Sequence, residues 1–163
     1  VGGPTYYGSG NPTNTFIDFD SADDYAQQVS APVSGLTSDM TGCWVVKSTD
    51  TGNGMVASKT LGGAGYLAAF NTNGNFYHNG VGSPSAFIDL VADTDSESLD
   101  GSFHLLEFKG VDFSTWTSNI NMPAGYGGFT FQGQIKAMFI YDRSITAQES
   151  SENYSTLQGL GYL

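Results

Sequence analysis

The chain of 163 residues contains a single cysteine, Cys43, so no intrachain disulfide can form and stability must come from a hydrophobic core. Because Cys43 stands in the apolar run GCWVV, we expect it to be buried as a small hydrophobic residue and not to act as a nucleophile. No apolar run approaches the ~18 residues of a membrane span. The chain begins with Val1 and shows no signal-peptide pattern, so we expect it to be a processed protein or a fragment of a longer one.

Positive charge is also scarce. Five basic residues stand against 16 acidic ones, and the formal net charge at neutral pH is -11. A phosphate backbone would be repelled by this charge, so we expect no nucleic-acid partner. An anionic membrane surface is disfavoured for the same reason, and we expect no membrane insertion. Divalent cations and neutral sugars are compatible with the charge.

Motifs of catalysis are missing. There is no Gly-x-Ser-x-Gly elbow, no His-Glu-x-x-His sequence and no phosphate-binding loop. Of the two histidines, His104 lies in an apolar strand pattern and is predicted to be structural, and His78 is predicted at a surface turn. The nearest approach to paired glycosidase carboxylates is Asp93, Asp95 and Glu97, but that stretch lacks the alternation of a strand that lines a cleft. We therefore predict that the protein is not an enzyme.

Glycine and short apolar runs, in contrast, are abundant. The chain has 22 glycines, and its apolar runs are separated by turn signals that predict eight or more strands. Alternation in SFHLLEFKGV predicts Leu106 and Phe108 on one side of a strand and Leu105 and Glu107 on the other. Asn73-Gly74 predicts a hairpin turn. The pattern is typical of an all-β domain, either two packed antiparallel sheets or a barrel.

The two ends of the chain differ from this middle part. Residues 1–15 contain four glycines and two prolines, which favours an irregular arm or linker and not a strand. The β-domain is predicted over residues 16–163. Thr-Ala-Gln-Glu at 146–149 forms a capping box, which predicts a helix from Ala147 to about Leu157, stopped by Gly159.

Several stretches resemble the laminin-G-like, concanavalin A-like jelly-roll domains. The closing strand and helix start match at Gly133, Ile135, Ile140, Tyr141, Arg143, Thr146 and Glu149, with Ile145 in place of the usual Leu. FIDFDSADDY resembles the opening strand and turn of the family, and HLLEFKGVDFSTW followed by FQGQIKAM is similar to versions found in bacteriophage virion and tail proteins. The resemblance spans roughly residues 15–158. It implies a two-sheet antiparallel β-sandwich with one short C-terminal helix. We expect five side chains to be largely buried in it: Phe19, Trp44, Phe108, Phe139 and Ile140.

Two acidic clusters are candidate calcium sites, because calcium prefers several oxygen ligands. They are Asp18, Asp20, Asp23 and Asp24, and Asp93, Asp95, Glu97 and Asp100. The second is not an EF-hand loop, because Ser98 replaces its glycine and His104 its final glutamate. A solvated acidic loop is the alternative for the second cluster, and a turn shaped by Asp23 and Asp24 is the alternative for the first. No cofactor is predicted to be required, and calcium is the candidate ion.

Sugar recognition needs an aromatic ring that is exposed for stacking and amide or carboxylate groups that bond hydroxyls. The loop-proximal candidates are Trp116, Tyr126, Tyr77, Asn119 and Asn121. Trp116 is the strongest of them, and its alternative role is to cover a sheet edge.

Together these features predict a non-enzymatic surface module on a virion or outside the cell. It would be a carbohydrate- or receptor-binding domain of a phage tail-fibre or capsid-associated protein. Its expected partners are a host surface glycan or receptor and other virion proteins or copies of itself. One alternative is a capsid decoration or assembly protein without a ligand, in which residues 1–15 run along a neighbour. A second alternative is a secreted bacterial glycan-binding module.

Overall fold

The computed structural model describes residues 5–7, 16–20, 26–27, 35–48, 53–58, 65–70, 76–79, 81–92, 99–116, 121–122 and 131–163. These residues form twelve strands and one helix, so this part of the chain is mostly β, as predicted. The elements are β1 (Thr5–Tyr7), β2 (Phe16–Asp20), β3 (Ala26–Gln27), β4 (Met40–Lys47), β5 (Asn53–Ser58), β6 (Tyr66–Phe70), β7 (Phe76–Asn79), β8 (Ser85–Ile88), β9 (Val91–Ala92), β10 (His104–Val111), β11 (Asn121–Met122), β12 (Gln132–Tyr141) and α1 (Ala147–Gly159). No helix in the described residues is long and apolar enough to cross a membrane.

The larger sheet has seven strands in the order β1-β2-β12-β4-β10-β8-β9, and its pairings are antiparallel. Its centre consists of the long strands β12, β4 and β10. In this centre Trp44 lies opposite Met138 of β12 and Leu106 of β10. Strands far apart in the sequence are thus neighbours, and the last strand of the chain lies between the second and the fourth.

The smaller sheet has five strands in the order β3-β11-β5-β6-β7, again with antiparallel pairings. Strands β6 and β7 are paired with Ala69 opposite Phe76. The predicted hairpin is therefore confirmed, although its turn at Asn73-Gly74 lies outside the described residues.

A large hydrophobic cluster contains residues of both sheets. Trp44 and Phe108 come from the larger sheet, and Val56 and Leu67 come from the smaller one. We call the side of the larger sheet that contributes to this cluster its inner face. The predicted burial of Trp44, Phe108 and Phe19 is confirmed.

Phe139 and Ile140 are only partly buried, so that part of the core prediction is wrong. The reason lies in the pairing of β12. Strand β2 pairs with Gln132 to Ile135, so within the part of the chain that the structure describes the second half of β12 has a neighbouring strand on one side alone.

Helix α1 lies against the opposite side of the larger sheet, which we call the outer face. A second cluster there contains Cys43, Val45, Leu105 and Leu157. The predicted alternation of β10 is confirmed, because Leu105 belongs to this cluster whereas Leu106 and Phe108 belong to the inner one.

The start of the helix is as predicted. The N–H of Glu149 donates to the Thr146 hydroxyl at 3.2 Å, and the N–H of Thr146 donates to the Glu149 carboxylate at 2.9 Å, which completes the capping box. Arg143 forms a two-pronged ion pair with the same carboxylate, at 2.6 and 3.0 Å. The hydrogen bonds from Arg143 and from the Thr146 backbone lower the pKa of Glu149 to about 2.

Helix α1 ends two residues later than the sequence predicted. Gly159 still belongs to α1, and Gly161 is the residue with a positive φ, of 73°. The N–H of Gly161 donates to the carbonyl of Gln158, and the N–H of Tyr162 donates to that of Leu157, both at 2.9 Å. These two bonds form the Schellman motif, in which glycine readily takes the left-handed conformation.

The N-terminal segment also departs from the prediction. Thr5–Tyr7 pairs antiparallel with Phe16, Ile17 and Asp18, so the expectation that residues 1–15 hold no strand is wrong at these three positions. Strand β2 offers unpaired backbone groups on the side away from β12, and tyrosine favours extended structure. These two effects outweigh the tendency of the surrounding glycines and prolines to form irregular structure. The other residues of the segment lie outside the described part.

Candidate functional site

A cleft of about 260 Å³ opens where β2, β12 and β4 lie side by side. Its lining consists of Asp18, Phe19, Lys47, Ser48, Gln132, Gly133 and Gln134. Gln134 lies opposite Asp18 on one neighbouring strand and opposite Lys47 on the other. Since cross-strand partners point to the same side of a sheet, the three side chains form a row. We call this the polar row. It lies on the outer face, because the next residue, Ile135, belongs to the inner cluster.

Close backbone packing forms the floor of this cleft. A Cβ atom added to Gly133 would overlap the carbonyl oxygen of Lys47, so only glycine fits there. The hydroxyl of Ser48 donates to the carbonyl of Gln132 at 2.6 Å. These contacts hold the start of β12 against the end of β4, so the backbone under the polar row is fixed.

Two lysines lie at one end of the polar row. The Lys47 ammonium is 5.7 Å from the centre of the Phe103 ring, and that of Lys136 is 3.9 Å from the same ring. The Lys136 ammonium also donates to the carbonyls of Gly161 and Tyr162, at 3.3 and 3.4 Å. Burial, and then the charge of Lys47, lower the pKa of Lys136. Two of the five basic residues of this acidic chain are therefore close together, Lys47 in the lining of the cleft and Lys136 next to it.

The cleft can form hydrogen bonds and ion pairs. Asp18 supplies an acceptor, Lys47 supplies donors and a positive charge, and the amides of Gln132 and Gln134 supply both donors and acceptors. Among the described side chains of the lining, Asp18 is the carboxylate. These donors and acceptors match the hydroxyl groups of a small polar molecule.

Trp116 is buried, whereas its predicted role in sugar stacking requires an exposed ring. Its side chain is 0% exposed, and its ring packs edge-to-face on Phe113 with ring centres 4.8 Å apart. The backbone N–H of Trp116 donates to the carbonyl of Phe113 at 2.9 Å, and in this turn the indole points into the inner cluster. The predicted stacking of a sugar on Trp116 is therefore wrong, because the ring has no exposed face.

The other predicted sugar contacts are not part of the cleft as described. Tyr126 and Asn119 lie outside the described residues. The backbones of Tyr77 and Asn121 belong to β7 and β11 of the smaller sheet, whereas the cleft lies on the larger sheet. Nothing is described of their side chains, so their roles stay predictions.

The predicted calcium ligands fall mostly outside the described residues. This holds for Asp93, Asp95, Glu97, Asp23 and Asp24, and of Asp20 only the backbone in β2 is described. Among the described residues no group of three or more His, Cys, Asp or Glu side chains could hold a metal ion. Calcium binding at the two clusters stays a prediction.

His104 has the structural role that the sequence predicted. Its Nδ1 lies 2.7 Å from the carboxylate of Asp89, and its Nε2 lies 2.9 Å from that of Asp100. The contact with Asp89 in particular raises the pKa of His104, and the contact with His104 lowers the pKa of Asp100 to about 2. The ring thus joins the turn after β8 to the residues that precede β10.

Cys43 is buried, as predicted, and it lies beside a buried carboxylate. The thiol donates to Glu107 at 3.8 Å, while the same carboxylate accepts from the Ser150 hydroxyl at 2.8 Å and pairs with Lys109 at 3.1 Å. Burial, and then the charge of Glu107, raise the pKa of the Cys43 thiol. The thiolate needed for nucleophilic chemistry is therefore disfavoured.

No protein-family model matches the chain, and no curated protein matches it significantly. The resemblance to laminin-G-like domains accordingly stays a prediction from the quoted motifs. The polar row itself was missed in the sequence, although FQGQIK carries a usable signal. Gln132 and Gln134 alternate with Gly133 and Ile135, which is the pattern of a strand with one polar face.

Proposed function

We propose that the protein is a non-enzymatic surface module that binds a saccharide in the cleft of the larger sheet. The polar row carries this proposal. Neighbouring strands are ~4.8 Å apart, so the backbones of Asp18 and Lys47, two strands apart, are separated by about 10 Å. A saccharide lying along the row would contact Asp18 on one strand, Gln134 on the middle strand and Lys47 on the third.

We also propose that the two sheets pack face to face as an antiparallel sandwich of the laminin-G-like, concanavalin A-like jelly-roll type. The inner cluster supports this arrangement, because it contains Val56 and Leu67 of the smaller sheet together with Trp44 and Phe108 of the larger one. In such a sandwich the outer face of the larger sheet, with helix α1 and the cleft, faces solvent.

The setting that we propose is the surface of a phage virion, as part of a tail fibre or a capsid-associated protein. It rests on the similarity of HLLEFKGVDFSTW and FQGQIKAM to phage versions of the domain. A cleft that contacts one sugar unit binds weakly. Many copies on one particle compensate for the weak binding of each copy. Once one copy has bound, the other copies meet the same glycan surface at a high effective concentration. The partner would be a host surface glycan.

A decoration role without a ligand is the second candidate. The exposed end of the larger sheet favours it: Leu90 and Val91, at the hairpin between β8 and β9, are 38% and 55% exposed. Among the described strands β9 is also at the edge of its sheet, and edges can pair with a neighbouring chain.

The proposed binding is tested by presenting the domain in many copies to host cells and to purified surface polysaccharide. We expect the wild type to bind and Gln134→Ala to lose up to about tenfold in affinity per site, as expected when a polar contact is removed. Asp142→Asn, a change at an exposed residue outside the cleft lining, is the control and should bind like the wild type.

Two results would contradict the proposal. One is that the multivalent wild type binds no polysaccharide or cell. The other is that Gln134→Ala binds as well as the control. If, in addition, the parent particle stays intact only when this chain is present, the decoration role takes its place.

A further inference from the structure

The basic residues of the described structure fall into two groups. Lys109 and Arg143 are neutralised by Glu107 and Glu149, at 3.1 and 2.6 Å. Lys47 and Lys136 take part in none of the ion pairs between described residues. Both of these lysines are at the same end of the polar row, so that end of the cleft presents positive charge without a described carboxylate partner.

The opposite end of the polar row is negative. Asp18 lines the cleft across Gln134 from Lys47, so a molecule in the cleft contacts a carboxylate at one end and an ammonium at the other. The carboxylate accepts hydrogen bonds from hydroxyl groups and repels a second anion. The ammonium forms a charge-assisted hydrogen bond with an anion, which is about twice as strong as a neutral one.

The negative net charge of the chain does not prevent an anionic group from binding next to Lys47. The total of -11 repels anions at long range, but salt at physiological concentration screens exposed charges beyond about 8 Å. Within the cleft the nearest charges therefore decide. A ligand with one carboxylate at the Lys47 end is favoured there, whereas a densely charged polyanion would also meet Asp18 and the acidic surface.

We infer that the cleft selects an acidic sugar, a saccharide unit with a single carboxylate of the uronic-acid type, oriented with that carboxylate at Lys47 and a hydroxyl at Asp18. The inference rests on the proposed saccharide binding and adds its ligand class. Lys136, held over the ring of Phe103, reinforces the positive end. Gln132 and Gln134 bond the hydroxyls between the two ends.

Matched sugars give the test. Two pairs are used: methyl glucuronide with methyl glucoside, and methyl galacturonide with methyl galactoside. Within each pair the sugars differ only at C6, which is a carboxylate in the uronide and a hydroxymethyl group in the neutral sugar. They are titrated into the wild type, and binding is followed by NMR chemical shifts. At least one uronide should bind about tenfold tighter than its neutral partner, the gain expected of a charge-assisted hydrogen bond. The preference should fall as salt is raised.

Single-residue variants show which side chains cause the preference for the uronide. Lys47→Gln should lose most of the preference, with a remainder due to Lys136, and Lys47→Arg should keep the preference because the charge is retained. Lys136→Gln should weaken it partially and serves as the second variant if Lys47→Gln does not fold, which the NMR spectrum shows directly. Asp18→Asn should weaken binding of the neutral sugar more than that of the uronide, because the change also removes a charge that repels the uronide carboxylate.

The outcomes separate the two proposals. If neutral sugars and uronides bind equally to the wild type, acid selectivity is wrong and saccharide binding stands. If Lys47→Gln and Lys136→Gln both keep the full preference, the assignment to this end of the cleft is wrong. If the multivalent domain binds polysaccharide but neither member of any pair shifts a signal of the cleft residues, the binding site lies elsewhere and the inference fails. If nothing binds in either format, the proposed function fails as well.

Discussion

The two faces of the larger sheet are built from the same strands but by different means. On the inner face, large side chains pack together, and the rings of Trp44 and Phe108 meet edge-to-face with centres 5.8 Å apart. On the outer face, β4 contributes the smaller Cys43 and Val45, and a buried carboxylate, Glu107, lies among the apolar residues.

This difference follows from what covers each face. The apolar side of helix α1 is thin, and Ser150 and Leu157 are its buried residues. Small residues on β4 leave room for the helix, and the bond from Ser150 to Glu107 fixes its rotation and position. A wholly apolar contact would permit the helix to slide. We infer that the inner face supplies most of the stability and that the outer face specifies where the helix docks.

The largest loss of stability is expected from a substitution on the inner face. Trp44→Ala should lower the free energy of unfolding by ~3–5 kcal/mol, because it removes a fully buried indole and leaves a cavity. Cys43→Ala, one residue away on the outer face, should cost only about 1 kcal/mol, close to the value of one buried methylene group. Both are measured by urea denaturation. Equal losses for the two variants would show that the faces contribute alike.

An intermediate effect is expected from the buried carboxylate of the outer face. Glu107→Gln should cost ~1.5–3 kcal/mol, because Lys109 loses its charged partner and the geometry around Ser150 is disturbed. In a double-mutant cycle with Ser150→Ala the losses should be less than additive, since both changes affect the same bond. Hydrogen exchange should show faster opening of helix α1. Strict additivity with unchanged exchange would contradict the anchoring role.

The smallest effect concerns pH and His104, at the start of the strand that carries Glu107. An ionised carboxylate only accepts hydrogen bonds, so the protonated ring makes both contacts, with Asp89 and Asp100. Because the pKa of His104 is raised on folding, its stabilisation is fully present below the unfolded pKa of about 6.5 and is lost as the pH rises through the folded pKa.

The stability advantage of the wild type over His104→Gln should therefore shrink as the pH rises from about 6.5 through the folded pKa of His104. Urea denaturation across this range measures it, and an NMR titration of the His104 ring gives its folded pKa directly. A constant advantage across the range, or a folded pKa below about 6.5, would rule out this role.

The sequence predicted those features that depend on neighbouring residues. The two sides of β10 follow from alternation, and the start of α1 follows from the pair Thr146 and Glu149, because both patterns involve residues two to four positions apart. The turn that buries Trp116 is also local, yet FSTWTSN gives no indication of which way the indole points. Only the packing of the inner cluster decides that.

The cleft depends on long-range pairing and on a local irregularity. It requires β12 to lie between β2 and β4, an order that no short pattern specifies. In addition, the register of β12 against β4 shifts between Ile135 and Ala137. Ile135 and Met138 therefore both face inward although they are three residues apart, which conceals the alternation.

Gly133 also limits the ways in which the sheet can misassemble. If β12 slipped by one residue against β4, the Cβ atom of Gln132 or Gln134 would be forced onto the carbonyl oxygen of Lys47, where only glycine fits. The same slip would turn Ile135 away from the inner cluster. The wrong alignment therefore carries a steric and a hydrophobic penalty at once. Gly133 and Ile135 therefore both favour the observed alignment of β12 against β4 over an alignment shifted by one residue.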